Sequence, residues 1–85
     1  MADLKTKFEK AADDVQKLSK KPDNDTLLKL YSLYKQGSSG DVEGKRPGML
    51  DIKGRAKYDA WAKQKGTPKK QAMEDYIRLV EKLMG

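Results

Sequence analysis

The sequence predicts an all-α fold, a four-helix bundle, from three observations. Apolar residues recur every three or four positions along four segments, which is the spacing of amphipathic helices rather than of strands. Prolines and glycines interrupt this pattern between the segments. The chain has 85 residues, of which 36% are hydrophobic and 38% charged, enough for one modest core. We therefore expect a single domain that spans residues 1–85.

The first two helices differ in the width of their apolar faces. Helix 1 is expected to begin near Asp3 and to be stopped by Pro22. Its stripe consists of Leu4, Phe8, Ala11, Ala12, Val15 and Leu18. Helix 2 has a start signal in Asp23-Asn24-Asp25 and is expected to run out at Gly37. Its face comprises Leu27, Leu28, Leu30, Tyr31, Leu33 and Tyr34. Such a wide face is typical of a central helix, or of one that also lines a binding groove.

A glycine-rich segment, residues 37–50, is predicted to form a long irregular connection between helices 2 and 3. About 13 extended residues at ~3.3 Å each can cover ~40 Å, whereas a helix of about 13 residues is only ~20 Å long. The connection is therefore long enough to cross the whole bundle. Helices 2 and 3 need not form an antiparallel hairpin.

The last two helices have clear start signals. Helix 3 is expected to follow the cap Asp51 and to end at Gly66. Its apolar positions are Ile52, Ala56, Tyr58, Ala60 and Trp61. For helix 4, Thr67 and Pro68 supply a predicted cap and a first-turn proline. Its stripe consists of Ala72, Met73, Tyr76, Ile77, Val80 and Leu83.

The composition argues against several classes of function. The chain has no cysteine and no histidine, so we expect neither a metal site nor a cofactor. The usual nucleophile and base pairs are missing for the same reason, and the protein is not expected to be an enzyme. The first residues lack the hydrophobic core of a secretory signal, and no apolar run approaches the ~20 residues of a membrane span. We expect a cytoplasmic protein without stable membrane insertion.

Positive charge is concentrated in one part of the chain. Residues 45–70 hold nine basic and two acidic residues, a net charge of +7, while the whole chain carries +6. An anionic partner is therefore expected in this region. Nucleic acid, phospholipid and phosphorylated small molecules all remain open. A small basic helical nucleic-acid-binding module is the alternative interpretation, although no helix-turn-helix signature is present.

Tyrosines and lysines alternate at helical spacing in the predicted helices 2 and 3. Tyr31 precedes Lys35 by four residues, with Tyr34 close by, and Lys53 precedes Lys57 by four. Residues four apart lie on one face of a helix. Aromatic rings beside ammonium groups suit a ligand that combines a flat ring with phosphates.

Taken in order, the motifs of this chain resemble the acyl-CoA-binding protein family over nearly the whole length. The residues that carry the resemblance are Phe8 with Ala11-Ala12, Tyr31-Ser-Leu-Tyr-Lys-Gln36, Gly40-Asp41, Arg46-Pro-Gly-Met-Leu-Asp51, Lys53-Gly-Arg-Ala-Lys57, Asp59-Ala-Trp61, Gly66 and Ala72-Met73 with Tyr76. Each motif alone is weak, but their order and spacing together are specific.

The resemblance implies an up-down-down-up bundle that binds, buffers and transports long-chain acyl-CoA esters as a monomer. It implies no nucleic-acid partner and at most transient membrane contact. The nucleotide head is expected on Tyr31, Tyr34, Lys35, Lys53, Lys57 and Tyr76. Lys35 and Lys57, helped by the Tyr31 hydroxyl, are expected to hold the ribose 3′-phosphate. The expected walls of the acyl-chain groove are Phe8, Ala12, Leu27 and Leu28.

Four positions in or near these motifs carry further expectations. Gln16 stands where the family often has a lysine facing the phosphates, so one cationic contact is expected to be lost. Tyr58 replaces the first tryptophan of the common Trp-Asp-Ala-Trp motif, which is expected to change local packing more than the ligand class. Trp61 is expected to anchor helix 3. Gly54 is expected to permit a close approach by backbone or ligand.

Overall fold

A computed structural model describes residues 3–85 of the chain. The described residues form four helices and no strand. The helices are α1 (Leu4–Val15), α2 (Asn24–Ser39), α3 (Ile52–Ala62) and α4 (Lys69–Met84). The prediction of an all-α four-helix bundle is confirmed.

Helices α2 and α3 run in the same direction. The ammonium group of Lys57 lies over the ring of Tyr31, and that of Lys35 lies over the ring of Trp61. Moving from Tyr31 to Lys35 on α2 therefore corresponds to moving from Lys57 to Trp61 on α3. The residue numbers rise together, so the two helices are parallel, and the long connection returns the chain to the starting end of the bundle.

Helix α4 runs against α2. The ring of Tyr34 lies 5.9 Å from that of Tyr76, centroid to centroid. One turn later on α2, Gly37 faces Met73, which comes before Tyr76 in the sequence. Because the numbers rise on one helix and fall on the other, this pair is antiparallel.

Helix α1 runs with α4. Leu4 lines a groove together with Glu74, and Asp14 lines a second groove together with Met84. The two helices are therefore parallel, with α1 at the outer edge. With α2 and α3 pointing the opposite way, the order is up-down-down-up, as predicted.

The core is centred on an aromatic stack. The ring of Phe8 lies parallel to Tyr34 at 5.3 Å and meets Tyr76 edge to face at 5.2 Å. The buried apolar residues are Phe8, Ala11, Leu30, Leu33, Ala72, Tyr76 and Val80. None of them belongs to α3. Helix α3 is therefore a peripheral element that packs mainly on α2, and polar and aromatic contacts help to hold it in place.

A buried glutamine connects the end of α2 to the start of α4. The amide nitrogen of Gln36 donates to a carboxylate oxygen of Asp41 and to the carbonyl of Thr67, both at 2.8 Å. The same Asp41 oxygen accepts from the backbone N–H of Gly66 at 2.9 Å. These two donors, the Gly66 amide first, lower the pKa of Asp41. Two distant loops are thereby tied into one cluster, the Asp41 cluster.

The connection between α2 and α3 is fastened to α3 at its start and near its middle. The indole N–H of Trp61 donates to the carbonyl of Gly40 at 2.8 Å, which confirms its anchoring role. Further along, the guanidinium of Arg46 makes two hydrogen bonds of 2.8 and 2.7 Å to the carboxylate of Asp59. Arg46 thereby lowers the pKa of Asp59. The segment is irregular, as expected, but these hydrogen bonds attach it to α3 at two points.

Two unusual residues of α3 have local structural explanations. The hydroxyl of Tyr58 donates to the carbonyl of Gly44 at 3.0 Å, a bond that pins the connection once more. At Gly54, a Cβ atom would overlap the carboxylate of Asp51, which accepts from the Gly54 backbone N–H as the cap of α3. The close approach at Gly54 therefore comes from the capping side chain of Asp51, and not from backbone or a ligand as expected.

The expected ends of the first two helices were wrong. Helix α1 stops at Val15 rather than near Pro22. After Val15 the backbone N–H groups donate to the carbonyl three residues earlier instead of four, as that of Leu18 does to Val15, which is the tighter 3₁₀ pattern. Helix α2 continues through Gly37 to Ser39. Gly37 is buried in the helix, where a Cβ atom would lie only 3.1 Å from both the Phe8 ring and the Met73 side chain.

The boundary between α3 and α4 also differs from the expectation. Helix α3 ends at Ala62, and tight turns carry the chain to Gly66. Helix α4 begins at Lys69, so Pro68 is its cap position and no side chain caps it. The expected cap Thr67 lies one residue too early for that role.

Candidate ligand-binding site

A groove of about 420 Å³ lies between the first halves of α2 and α3, and we call it the α2–α3 groove. Its lining consists of Lys21, Asn24, Leu27, Leu28, Tyr31, Ile52, Lys53, Ala56 and Lys57. Apolar side chains thus lie among three lysines, and no acidic side chain of residues 3–85 lines this groove. The arrangement favours a ligand that is partly apolar and partly anionic.

A second groove of about 360 Å³, the α1–α2 groove, lies on the other side of α2. It is lined by Ala12, Val15, Gln16, Leu30, Tyr31, Tyr34 and Tyr76. Tyr31 belongs to both grooves, so they meet across its ring. Together they form one surface that involves all four helices, with lysines at one end and tyrosines at the other.

Two cation–aromatic pairs cross between α2 and α3 beside the α2–α3 groove. The Nζ atom of Lys57 lies 5.5 Å from the ring centroid of Tyr31, and that of Lys35 lies 4.9 Å from the ring centroid of Trp61. Each helix thus supplies one lysine and one ring. Four residues of helix rise by about 6 Å, so the two pairs follow each other by one turn.

The tyrosines at the other end differ in exposure. Tyr76 is only 4% exposed, and burial raises the pKa of its hydroxyl, with Tyr34 as a second cause. Tyr76 therefore stays protonated and is a hydrogen-bond donor at neutral pH. Tyr34 is 41% exposed above the Phe8 ring. Tyr76 is thus almost completely buried beside the groove, while Tyr34 is open to solvent.

The structure gathers most of the predicted site residues into the two grooves. Those in the α2–α3 groove are Leu27, Leu28, Tyr31, Lys53 and Lys57. Those in the α1–α2 groove are Ala12, Tyr31, Tyr34 and Tyr76. Lys35 lines neither groove and lies against Trp61. Phe8, an expected wall, is buried in the core and also lines neither.

Several lining residues did not follow from the sequence pattern. They are Val15, Lys21, Asn24, Leu30, Ile52 and Ala56. Lys21 could not be placed, because it lies in the segment expected to be helical and the helix stops at Val15. The sequence could have indicated Ile52 as a groove residue, because it is a large apolar residue in the first turn of a helix whose apolar stripe is otherwise weak. Gln16, the expected site of a lost cation, does line the α1–α2 groove.

No helix within residues 3–85 is long and apolar enough to cross a membrane. The same part of the chain contains no group of three or more carboxylate, imidazole or thiol side chains placed to hold a metal ion.

The fold and the site define a small helical binding protein whose surface groove joins apolar walls to lysine and tyrosine side chains. Residues 5–80 match the model of the family described as acyl CoA binding protein. The chain belongs to the acyl-CoA-binding protein family. This is a family of binding proteins rather than enzymes, as the sequence analysis predicted.

The relatives agree in sequence and in structure. An acyl-CoA-binding protein homolog of Drosophila melanogaster is 48% identical over 77 residues, which cover 91% of this chain and 90% of the relative. Homolog 1 of Caenorhabditis elegans is 49% identical with the same coverage. The crystal structure of Oryza sativa acyl-CoA-binding protein 2 superposes with a TM-score of 0.92 at 40% identity. That match covers 96% of this chain and 91% of the rice chain.

Proposed function

We propose that this chain is a single acyl-CoA-binding domain, residues 1–85, that binds long-chain acyl-CoA esters noncovalently. The observation that carries the proposal is the meeting of the two grooves at Tyr31, with apolar walls and three lysines on one side and tyrosines on the other. An acyl-CoA ester combines the matching chemistries in one molecule, an apolar chain for the apolar walls and a phosphate-bearing nucleotide head for the lysines and tyrosines.

In this proposal the head lies over Tyr31, Tyr34, Lys35, Lys53, Lys57 and Tyr76. The contacts that now hold Lys35 and Lys57 on aromatic rings are each worth about 0.5–1 kcal/mol at exposed sites. A charge-assisted hydrogen bond to phosphate is worth roughly 1.5–3 kcal/mol. The 3′-phosphate therefore outcompetes the rings for both ammonium groups, and the freed Tyr31 ring is available to the ligand.

The acyl chain occupies the apolar part of the surface, against Leu27, Leu28 and Ala12. A chain of about 14 methylenes contributes on the order of 11 kcal/mol if it is fully buried, at ~0.8 kcal/mol each. Burial in an open groove is partial, but the chain remains the larger source of affinity. The lysines and tyrosines then provide the preference for CoA over other head groups. Phe8 supports this surface from the core, through its contacts with Tyr34 and Tyr76.

The biological role that follows is buffering and transport. A monomeric carrier that covers the acyl chain keeps it out of water and out of bilayers, while the head-group charges stay paired at the groove. We place this role in the cytoplasm, with transient rather than inserted membrane contact and without a nucleic-acid partner.

Calorimetric titration of the protein with palmitoyl-CoA, free CoA, palmitate and a short oligonucleotide tests the proposal. Palmitoyl-CoA is expected to bind much more tightly than CoA or palmitate, since each lacks one half of the complementary chemistry. The oligonucleotide arm is run at two salt concentrations, because counterion release makes nucleic-acid binding fall steeply with salt. Tighter binding of the oligonucleotide than of palmitoyl-CoA at physiological salt contradicts the proposal and favours the nucleic-acid module.

A further inference from the structure

Three large apolar side chains stand in solvent at the start of α3. Met49 is 79% exposed, Leu50 100% and Ile52 76%. We call these three residues the apolar tip. Single exposed apolar residues are ordinary, but neighbouring ones that bury almost none of their surface mark a contact site. In the described chain, the other large hydrophobic residues are at most half exposed.

The tip is held in this exposed position by the structure around it. The backbone N–H of Asp51 bonds the carbonyl of Gly48, which closes a turn around Met49 and Leu50. Just before the turn, the double hydrogen bond from Arg46 to Asp59 fixes the chain to α3. The tip therefore projects from a fastened base and does not depend on a loose loop.

Positive charge surrounds the tip. The adjoining α2–α3 groove contributes Lys21, Lys53 and Lys57, and exposed Lys45 precedes the turn. The nearest carboxylate, that of Asp51, is engaged as the cap of α3. An apolar group with lysines beside it matches the surface of a bilayer that contains anionic lipid, because lipid acyl chains attract apolar side chains and anionic head groups attract lysines.

We propose that the apolar tip docks the protein on anionic membranes, with Met49 and Leu50 entering the interfacial region. Ile52 belongs both to the tip and to the α2–α3 groove, so docking turns the apolar part of the groove toward the bilayer. A long acyl chain then passes between groove and membrane without crossing water. The purpose of docking rests on the proposed function, whereas docking itself requires only the tip and its lysines.

Vesicle flotation of the ligand-free protein tests the docking surface. Vesicles of phosphatidylcholine mixed with phosphatidylserine are expected to bind the protein more than about tenfold better than phosphatidylcholine alone, and added salt is expected to remove the difference. The double variant Met49→Ser/Leu50→Ser is expected to lower the partition coefficient by at least about tenfold. Both side chains are exposed, so the variant is expected to fold. Met84→Ser, at a half-exposed methionine on α4, is the matched control and should partition like the parent protein.

Three outcomes overturn the docking proposal. The first is equal partitioning of the double variant and the parent. The second is loss of partitioning in the Met84 control alone. The third is a double variant that binds vesicles like the parent but no longer delivers palmitoyl-CoA to an acyl-CoA-consuming enzyme. The last result assigns the tip to a protein partner. Calorimetry with palmitoyl-CoA in the absence of vesicles separates the two proposals. The double variant is expected to keep its affinity, whereas a parent protein that fails to bind palmitoyl-CoA overturns the proposed function and leaves the flotation result standing.

Discussion

Replacing Gln36 by methionine should reveal how much the Asp41 cluster contributes to stability. Gln36 is 1% exposed, and its amide holds Asp41 and the carbonyl of Thr67 at 2.8 Å each. Methionine has a similar length and an apolar character, so Gln36→Met removes both bonds with little change in volume. The substitution also removes the Oε1 atom of Gln36, which is buried without a hydrogen-bond partner, and this gain offsets part of the loss.

The expected loss follows from these two bonds. A hydrogen bond of a buried side chain stabilises a protein by about 0.5–1.5 kcal/mol net, so Gln36→Met should cost about 1–3 kcal/mol. For a domain of this size, each kcal/mol moves the melting temperature by roughly 4–8 °C. A loss of about 2 kcal/mol therefore lowers the melting temperature by about 8–16 °C.

Urea and thermal unfolding followed by circular dichroism measure this loss. The matched control is Gln71→Met on the surface of α4, where the amide of Gln71 donates to Asp75 at 2.9 Å in full contact with solvent. The control should change stability by less than about 0.5 kcal/mol. If Gln36→Met stays within that range, or if both variants lose the same amount, the reasoning about the Asp41 cluster is refuted.

Three further changes have defined outcomes. Folding lowers the pKa of Asp41, so the ionised carboxylate stabilises the fold above its pKa in the unfolded chain, and this contribution is lost as the pH falls through its pKa in the folded protein. In a pH series of urea midpoints, Asp41→Asn should therefore be less stable than the parent at neutral pH but should show a shallower decline in stability below about pH 4. A parallel shift of the whole curve would contradict this. Gly37→Ala should destabilise by about 1 kcal/mol, because its Cβ would lie 3.1 Å from both Met73 and Phe8, and this overpacking outweighs the gain in helix propensity. A higher melting temperature would refute that balance. Leu28→Gln should weaken palmitoyl-CoA binding by about tenfold while leaving free CoA unchanged in calorimetry, and equal losses for both ligands would remove Leu28 from the acyl-chain groove.

The four helices could be predicted from the sequence because each is marked locally, whereas their up-down-down-up order followed only from the resemblance to the family. Apolar spacing gives the helical segments, and the caps Asp3, Asp23 and Asp51 accept the backbone bonds expected of them. The ends were harder to predict. No glycine or proline marks the stop at Val15, and Gly37, which looked like a stop, is a packing residue against Phe8.

The candidate site was predictable in composition but not in arrangement. Spacing places Tyr31 beside Lys35 on one helix, yet in the structure each lysine lies over a ring of the other helix. Such crossed pairs depend on the register between α2 and α3, which is a tertiary property. Phe8 illustrates the same limit, since an apolar stripe does not distinguish a groove wall from the core.

The central claim is that Lys57 recognises the 3′-phosphate of an acyl-CoA ester. Calorimetry of Lys57→Gln with palmitoyl-CoA and with its 3′-dephospho analogue tests it most directly, with Lys70→Gln on α4 as the charge-matched control. Loss of the phosphate is expected to weaken the parent protein and the control by roughly tenfold or more, the value of one charge-assisted hydrogen bond, and to weaken Lys57→Gln by clearly less, because only Lys35 and the Tyr31 hydroxyl then remain to contact the phosphate. The claim is contradicted if Lys57→Gln distinguishes the two ligands as strongly as the parent does.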